Sequence, residues 1–499
     1  MLPATVRAFL VALLTFGWAG PILSSNPPVP ASAAGLSLST EPPLSSWPAR
    51  HIHAFYYPWY GTLERDGAYL HWRHDQLGVP DPHTYPGGEE IGADFYPQGG
   101  CYSSSDPAVL ARHMRQLAWA RVDVIAVSWL GADCFEARVL PPLLDAAAVA
   151  GIEVCIHLEP AVQQSPESVR DAITYLLRTY GDHPAFHRCP AAGGRPIFYA
   201  YDSYRLPPEA WARLLRPEGD LTLRGGPRDV AVLGLLLDAE DLGELDAAGF
   251  DGGYSYFAAD GFSYGATSAN WPELVKRARE RGLLFVPSVG PGYRDRRIRP
   301  WNRRNERDRD EGRTYDCMFA RAIGADPDII AITSFNEWHE GTQIEPAVPF
   351  ETDHFIYADY LPLAPDAYLE RTAAWVGRWQ GFEGSDVVVQ IDLERTEALS
   401  RLQVGCLHDP LVWIFLPDAI RVEGSHDGRE FVRLSETGEL SEPSTSQPER
   451  YEFTIEFPPI RLRHIRVVVT AAGVCPAGHS GEGAPAWTFM DEIQVWGAP

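Results

Sequence analysis

Ile329-Ile330-Ala331-Ile332-Thr333-Ser334-Phe335 runs directly into Asn336-Glu337-Trp338-His339-Glu340-Gly341-Thr342-Gln343-Ile344-Glu345-Pro346, and the reading of the fold starts from this junction. The first seven residues are apolar, largely β-branched and too few for a helix, so they read as a buried strand. The next eleven place three glutamates, a histidine and an indole at that strand's C-terminal end. Glutamate is rarely buried without a partner. The loop is therefore either a site or a solvated turn, and this stretch alone does not choose between them.

Similar runs recur upstream at residues 51–57, 122–129, 152–158, 196–201, 230–237, 253–257 and 284–289. Amphipathic helical patterns lie between them, for example over 106–118, 166–180, 271–281 and 314–325. With 329–335 the strands number eight, each followed by helical sequence, which predicts a (β/α)₈ TIM barrel, an α/β fold with parallel strands buried on both faces. In that fold the chemistry sits at the C-terminal strand ends. Those ends here carry Tyr56-Tyr57-Pro58-Trp59-Tyr60, Ser128-Trp129, His157-Leu158-Glu159, Tyr199-Ala200-Tyr201-Asp202, Tyr254-Ser255-Tyr256-Phe257 and Pro291-Gly292-Tyr293. One aromatic residue per end suits a core, but six loaded ends predict a cleft lined with rings and carboxylates. Long segments follow the first strand (61–105) and the seventh (293–313), and loops of that length in a compact fold are usually functional. The second is locally basic. Its arginines read as surface partners of nearby Asp and Glu, with Arg299 a candidate for bracing the cleft.

Beyond residue 380 the helical period stops and short β-rich runs take over at 387–391, 411–415, 419–422, 451–455, 464–469 and 492–496, which predicts a small all-β sandwich domain. At the other end Arg7, the apolar run 8–18 and the small residues Ala31-Ser32-Ala33-Ala34 have the layout of a secretory signal. The expected organisation is a signal peptide over 1–34, a Pro/Ser-rich linker over 35–48, a catalytic barrel over 49–380 and a sandwich over 384–499. The expected location is secreted, extracellular or periplasmic, with a type II membrane-anchored lumenal enzyme as the alternative.

The 499 residues are 45% hydrophobic and 22% charged, ordinary for a globular chain with a large core. The formal charge of −25 argues against a nucleic-acid partner, since phosphate binding needs a basic face. No stable membrane partner is expected, and the protein reads as a monomer. The 15 Trp and 21 Tyr are a mild pointer to sugar-binding surfaces. The seven cysteines show no metal-ligand spacing. Cys406 with Cys475 is the pairing the C-terminal region suggests.

Barrel, rings and paired carboxylates together suggest glycoside hydrolysis, in which one carboxyl protonates the departing oxygen and the other acts as base or nucleophile. Glu337 and Glu340 stand three apart, and if the loop coils they face one side. Repulsion between them would separate their pKa values. A metal site using His339 and two Glu is the rival reading, but zinc sites favour two or three His at helical spacing and none is seen. No cofactor or metal is expected.

Several motifs also resemble a known family. Phe55-Tyr56-Tyr57-Pro58-Trp59-Tyr60-Gly61, Phe95-Tyr96-Pro97, Tyr102-Ser103-Ser104, Ser288-Val289-Gly290-Pro291-Gly292-Tyr293, Arg299-Pro300-Trp301-Asn302 and the run Ser334 to Glu345 are similar to glycoside hydrolase family 99, the endo-α-1,2-mannosidases and mannanases. The resemblance covers residues 51–379. It implies a metal-independent, retaining, internally cleaving enzyme whose substrate is an α-mannoside glycan linked through O2 of mannose. It further implies that the sugar's own 2-hydroxyl attacks the anomeric carbon to give a 1,2-anhydro sugar. By motif, Glu337 would be the base for that hydroxyl and Glu340 the acid. Tyr60, Trp129, Glu159, Tyr199, Tyr256, Tyr293, Asn336 and His339 would bind substrate, and Glu345 would be structural. Leu130 departs from the aromatic residue expected after Trp129, which leaves glucose or mannose open as the sugar before the cleaved bond. Val422 to Phe431, with its Ser-x-Asp-Gly hairpin, resembles the discoidin or coagulation-factor C-type sandwiches. A carbohydrate-binding protein without catalysis and a different α-glycanase on the same barrel are the competing readings.

Overall fold

The computed structural model describes residues 5–9, 51–74, 90–160, 164–380, 382–383, 386–410, 413–428, 431–437, 449–479, 482–483 and 486–497. The chain divides into two compact units, one over Trp47–Val376 and one over Gly377–Pro499 with the N-terminal segment Thr5–Phe9.

The first unit is a closed (β/α)₈ barrel. Its strands are β1 (His51–Tyr56), β2 (Val124–Trp129), β3 (Glu153–Leu158), β4 (Arg195–Ala200), β5 (Ala231–Leu235), β6 (Gly252–Tyr254), β7 (Leu284–Val286 and Ser288–Val289) and β8 (Ile329–Ile332). All neighbours pair parallel and in sequence, and β8 closes on β1 with Ile329 opposite His51 and Ile332 opposite Ala54. β7 is interrupted at Pro287, which has no N–H to give a ladder. Its first piece pairs with β6 and its second with β8, so the break sits where the sheet changes partner. The helices are α1 (Pro107–Trp119), α2 (Phe135–Ala150), α3 (Pro166–Tyr180), α4 (Pro208–Leu215), α5 (Asp241–Ala248), α6 (Trp271–Glu280), α7 (Arg313–Gly324) and α8 (Ala367–Gln380). Local chemistry sets several ends. The Asp106 side chain accepts from Ala108 N at 2.8 Å to start α1, and Ser165 with Ser168 forms a capping box on α3. Gly151 closes α2 in the left-handed region at φ 72.

Inward side chains at i and i+2 along each strand stack in layers through the barrel. Phe55, Tyr199 and Tyr254 form one such layer, with ring centroids 5.4 Å (Phe55–Tyr199) and 4.9 Å (Tyr199–Tyr254) apart. The Tyr199 hydroxyl reaches down to His53 Nδ1 at 2.8 Å, and burial holds the His53 pKa well below the usual histidine range.

The second unit is all β. Its strands are β9 (Val387–His408), β10 (Ala419–Ser425), β11 (Val432–Glu436), β12 (Glu449–Thr470) and β13 (Trp487–Gly497), paired antiparallel. β9 and β12 run for 22 residues each, where shorter strands were expected; register shifts between Asp392 and Glu397 and between Leu399 and Arg401 let β9 continue through a polar stretch. Leu402, Val404 and Cys406 alternate into one core with Ile420, Val422, Ile465, Val467 and Val469. The expected strand over 411–415 does not form in its described part. Trp413 takes φ 66 and Ile414 makes isolated bridges to Asp409 and Trp487, while residues 411 and 412 lie outside the described residues. The Ser-x-Asp-Gly hairpin between β10 and β11 turns on Ser425 Oγ, which accepts from Gly428 N at 3.0 Å. Cys406 belongs to the main core, whereas Cys475 packs with Phe415 and Ala486 in another cluster, an arrangement that does not support their pairing. Thr5–Phe9 pairs antiparallel with β13; the rest of the expected signal and linker lies outside the described residues.

Removing the Tyr199 hydroxyl tests its place inside the barrel. Tyr199→Phe leaves a buried imidazole nitrogen without its partner and should cost about 1–3 kcal/mol in chemical denaturation, while kcat/KM changes by less than about threefold. A large catalytic loss at unchanged stability would place the ring in the cleft instead.

Candidate active site

The loop after β8 is folded by its own short side chains. Ser334 N donates to Thr342 O at 2.9 Å, and Ile344 N to Ser334 O at the same distance. Ser334 Oγ lies 3.0 Å from Thr342 Oγ1 and accepts from Glu337 N at 2.7 Å. These bonds pinch the loop at its base, and the apex winds into one 3₁₀ turn, Trp338–Glu340, with Glu337 as its N-cap. Residues three apart eclipse in such a turn. Glu337 and Glu340 accordingly open into one cleft, and Trp338 points back into the protein, fully buried. Gly341 ends the turn at φ 62, and a Cβ there would meet Arg294 O at 2.5 Å, so the position requires glycine.

The cleft encloses about 610 Å³ at the C-terminal end of the barrel. Its floor and one wall come from strand ends: Tyr57 after β1, His157 on β3 and Glu159 just past its end, Tyr201 after β4 and Tyr256 after β6. Tyr57 and Tyr256 hydrogen-bond through their hydroxyls. Glu159 accepts from Ser128 Oγ at 2.8 Å, with His157 Nδ1 3.4 Å from the same oxygen. The opposite wall is built from Trp59, Tyr69, His71, Arg73 and His74, on and after the first strand end, and from His339. Trp59 and His71 stack at 4.4 Å between centroids and 4° between planes. Arg299 enters from the β7 loop, its Nη1 3.5 Å from Glu340 Oε1 and 3.2 Å from Asp295 Oδ2.

The two glutamates share a desolvated environment, which disfavours charge. Burial, then the Glu340 charge, push Glu337 well above the usual carboxylate range. Burial lifts Glu340 to about 7, with Arg299 opposing the rise. The pair therefore holds a proton near neutrality and titrates as a unit. Burial lowers His339 to about 3, with His71 and His74 adding to the effect, so its imidazole is neutral. Among the described residues no group of three His, Cys, Asp or Glu is placed to hold a metal ion.

Of the residues expected at the site, Glu337, Glu340, Glu159, Tyr256 and His339 line the cleft, and five do not. Tyr199 lies one layer too deep; with a period of two, Tyr201 is the residue of β4's end that reaches the opening. Trp129 has the wrong parity. Ser128 beside it faces Glu159, while the Trp129 ring stacks outward on Tyr175 of α3 at 6.2 Å. Tyr60 and Asn336 work behind the cleft. The Tyr60 hydroxyl donates to Asn336 O at 3.0 Å and accepts from Trp338 N at 3.1 Å. The Asn336 amide accepts from Tyr57 N at 2.8 Å and donates to Tyr57 O at 3.0 Å, tying the end of β8 to the end of β1. Tyr293 donates to Asp295 Oδ2 at 2.8 Å. Tyr57 and Trp59 stood in the strand-end sequence already singled out, whereas His71, Arg73 and His74 had no signal beyond the length of their loop.

An eight-stranded barrel whose strand ends deliver a proton-sharing glutamate pair into an aromatic-walled cleft defines a glycoside hydrolase. The model of glycosyl hydrolase family 99 matches residues 48–381, two thirds of the sequence, and the chain belongs to that family. The chain is 42% identical over 363 residues to the mouse glycoprotein endo-alpha-1,2-mannosidase, covering 70% of this chain and 78% of the mouse protein. It is 44% identical over 340 residues to the human glycoprotein endo-alpha-1,2-mannosidase-like protein, covering 65% and 74% respectively. The solved structure of the family 99 endo-alpha-mannosidase of Bacteroides thetaiotaomicron superposes with a TM-score of 0.62 at 44% identity, over 66% of this chain and 97% of that one.

The raised Glu340 pKa has a stability consequence. Its folded value of about 7 exceeds the unfolded value near 4.5, so between these the native state binds more protons and stability falls as pH rises. At 1.36 kcal/mol per unit the penalty above pH 7 is at most about 3 kcal/mol. Glu340→Gln abolishes it. The melting temperature of the variant relative to the parent should therefore rise by a few degrees between pH 5 and pH 8; a difference constant with pH contradicts the assignment.

Proposed function

We propose that the protein is a retaining endo-acting hydrolase of α-1,2-mannosidic linkages in mannans or high-mannose N-glycans, working through a 1,2-anhydro sugar. The observation that carries this reading is the single 3₁₀ turn that opens Glu337 and Glu340 into one cleft, in a chain 42% identical to an endo-alpha-1,2-mannosidase. In the first step Glu337 removes the proton of the 2-hydroxyl, whose oxygen bonds to C1. The glycosidic C–O bond breaks, and its electron pair leaves with the oxygen that Glu340 protonates. In the second step Glu340 takes a proton from water, the water oxygen bonds to C1, and the C1–O2 bond opens as Glu337 returns its proton. No carboxylate has to reach the anomeric carbon. The pair shares one proton out of water, and the reaction requires that proton on Glu340 with Glu337 ionised when the sugar is bound.

Glu159 and Tyr256 line the same space and supply contacts to the sugar at the cleaved bond, with the neutral His339 and the Trp59–His71 stack on the facing wall. Residues 1–34 act as a secretory signal, 35–48 as a linker and 384–499 as a discoidin-like module, and the enzyme works outside the cytoplasm as a monomer on an α-mannoside glycan. No helix of the described residues is long and apolar enough to cross a membrane.

Glu340→Gln and Glu337→Gln should each lower kcat/KM on an unactivated α-1,2-mannan by about 10²-fold or more, read as new reducing ends, with the fold intact by circular dichroism. In the parent, kcat/KM should be bell-shaped in pH, because the pair must hold one proton, neither two nor none. Full activity in either variant, or release of oligomers from an α-glucan with no new reducing ends from the mannan, overturns the reading. Digests of glucosylated and plain high-mannose glycans, read by mass, identify the sugar before the cleaved bond.

A further inference from the structure

The segment between β7 and α7 carries a buried carboxylate that the reaction above does not use. Asp295 is fully buried, and its Oδ2 accepts from Tyr293 Oη at 2.8 Å, Asn302 Nδ2 at 2.9 Å and Arg299 Nη1 at 3.2 Å. Its backbone carbonyl accepts from Arg299 N at 2.7 Å and Ile298 N at 3.1 Å. The chain thus coils around Asp295 and returns Arg299 and Asn302 to its side chain. Arg299 Nη1 is shared: 3.2 Å from Asp295 and 3.5 Å from Glu340. The Arg299 side chain is 41% exposed, so without an anchor its charge would be mobile at the surface. Burying a carboxylate is costly unless its partners are in place, so these contacts fix where the Arg299 charge stands.

We propose that Asp295 and Arg299 are positioning residues for the proton-donating carboxyl: the aspartate aims the guanidinium, and the guanidinium takes up the negative charge Glu340 acquires as its proton leaves. The inference rests on the acid role given to Glu340 above. In the first step the Glu340 proton passes to the glycosidic oxygen as the C–O bond breaks, and the carboxylate left behind lies beside a cation already in place. A preset charge of this kind needs no reorganisation during the reaction. Glu340 also faces Asp295 itself, whose charge raises it, Glu337 from its own turn, Glu159 beyond β3, Tyr293 beside Asp295, and the phenols of Tyr57, Tyr201 and Tyr256 from β1, β4 and β6. Burial keeps these phenols neutral, so among these groups Arg299 is the cation that opposes the acidic neighbours. Its removal leaves Glu340 a weaker acid.

The test separates proton donation from binding. On an unactivated α-1,2-mannoside, Arg299→Gln should lose about 10- to 100-fold in kcat/KM. On a 2,4-dinitrophenyl glycoside of the same sugar, whose leaving group needs little protonation, the loss should be under about threefold. The basic limb of the pH profile should move upward. Arg299→Lys should recover part of both effects, and Asp295→Asn should show a smaller loss on the unactivated substrate with little movement of the basic limb, because removing the Asp295 charge, which itself raises Glu340, offsets the loosened guanidinium; thermal melts establish that each variant folds. Equal losses on both substrates with an unmoved basic limb overturn the proposal. Glu340→Gln is run in parallel: if it shows the leaving-group dependence and the Arg299 variants do not, positioning is refuted while the acid role stands; if Glu340→Gln lacks the dependence, the acid role itself fails.

Discussion

The Glu345 carboxylate is buried behind the loop that carries the glutamate pair, and much of the site's geometry depends on it. Oε2 accepts from Tyr102 Oη at 2.7 Å and Trp338 Nε1 at 3.0 Å, and Oε1 lies 3.0 Å from His113 Nε2, whose other ring nitrogen is 3.0 Å from Tyr56 Oη. A buried carboxylate left unpaired would cost several kcal/mol, so the network enforces its own completion. Completing it pulls Trp338 inward. Since Trp338 sits between Glu337 and Glu340 in a tight turn, fixing the indole fixes the direction of both carboxyls. The far arm of the loop is held by Arg309, which donates to Gly341 O at 3.0 Å and Gln343 O at 2.6 Å while packed among the rings of Phe95, Tyr360 and Tyr368.

A site held this rigidly can afford the electrostatic cost of two neighbouring carboxyls out of water. Burial lifts the proton affinity of both and Arg299 moderates one. In the proposed reaction the two carboxyls divide one shared proton between an acid and a base role. The Trp59 and His71 rings and the neutral His339 add shape and hydrogen-bonding capacity without adding charge, which suits an uncharged sugar substrate.

The barrel was legible because its strands are short, apolar and β-branched, and because parallel strands covered on both faces need no alternation. Pro287 was visible too, yet a proline inside an apolar run does not by itself reveal that the strand changes neighbours there. The pair was legible from spacing once a coil was assumed, since Glu337 and Glu340 stand one 3₁₀ turn apart. Which aromatics face the cleft was not, because that depends on parity and depth: Tyr199 and Tyr201 share a chemistry and differ only by one barrel layer, and Trp129 differs from Ser128 by one residue. Asn336 and Tyr60 belong to the right motif but act on backbone groups, which side-chain identity does not disclose. In the second unit, β9 continues through Arg395, Thr396 and Glu397, where polar residues signal an end and register shifts permit continuation.

The stereochemistry of the first product tests the central claim most directly. Proton NMR of an α-1,2-linked mannan at the onset of digestion should show the new reducing end appearing as the α-anomer, on fragments longer than one sugar, before mutarotation supplies the β form. A β-anomer at the outset, or single mannose residues released from chain ends, would contradict it.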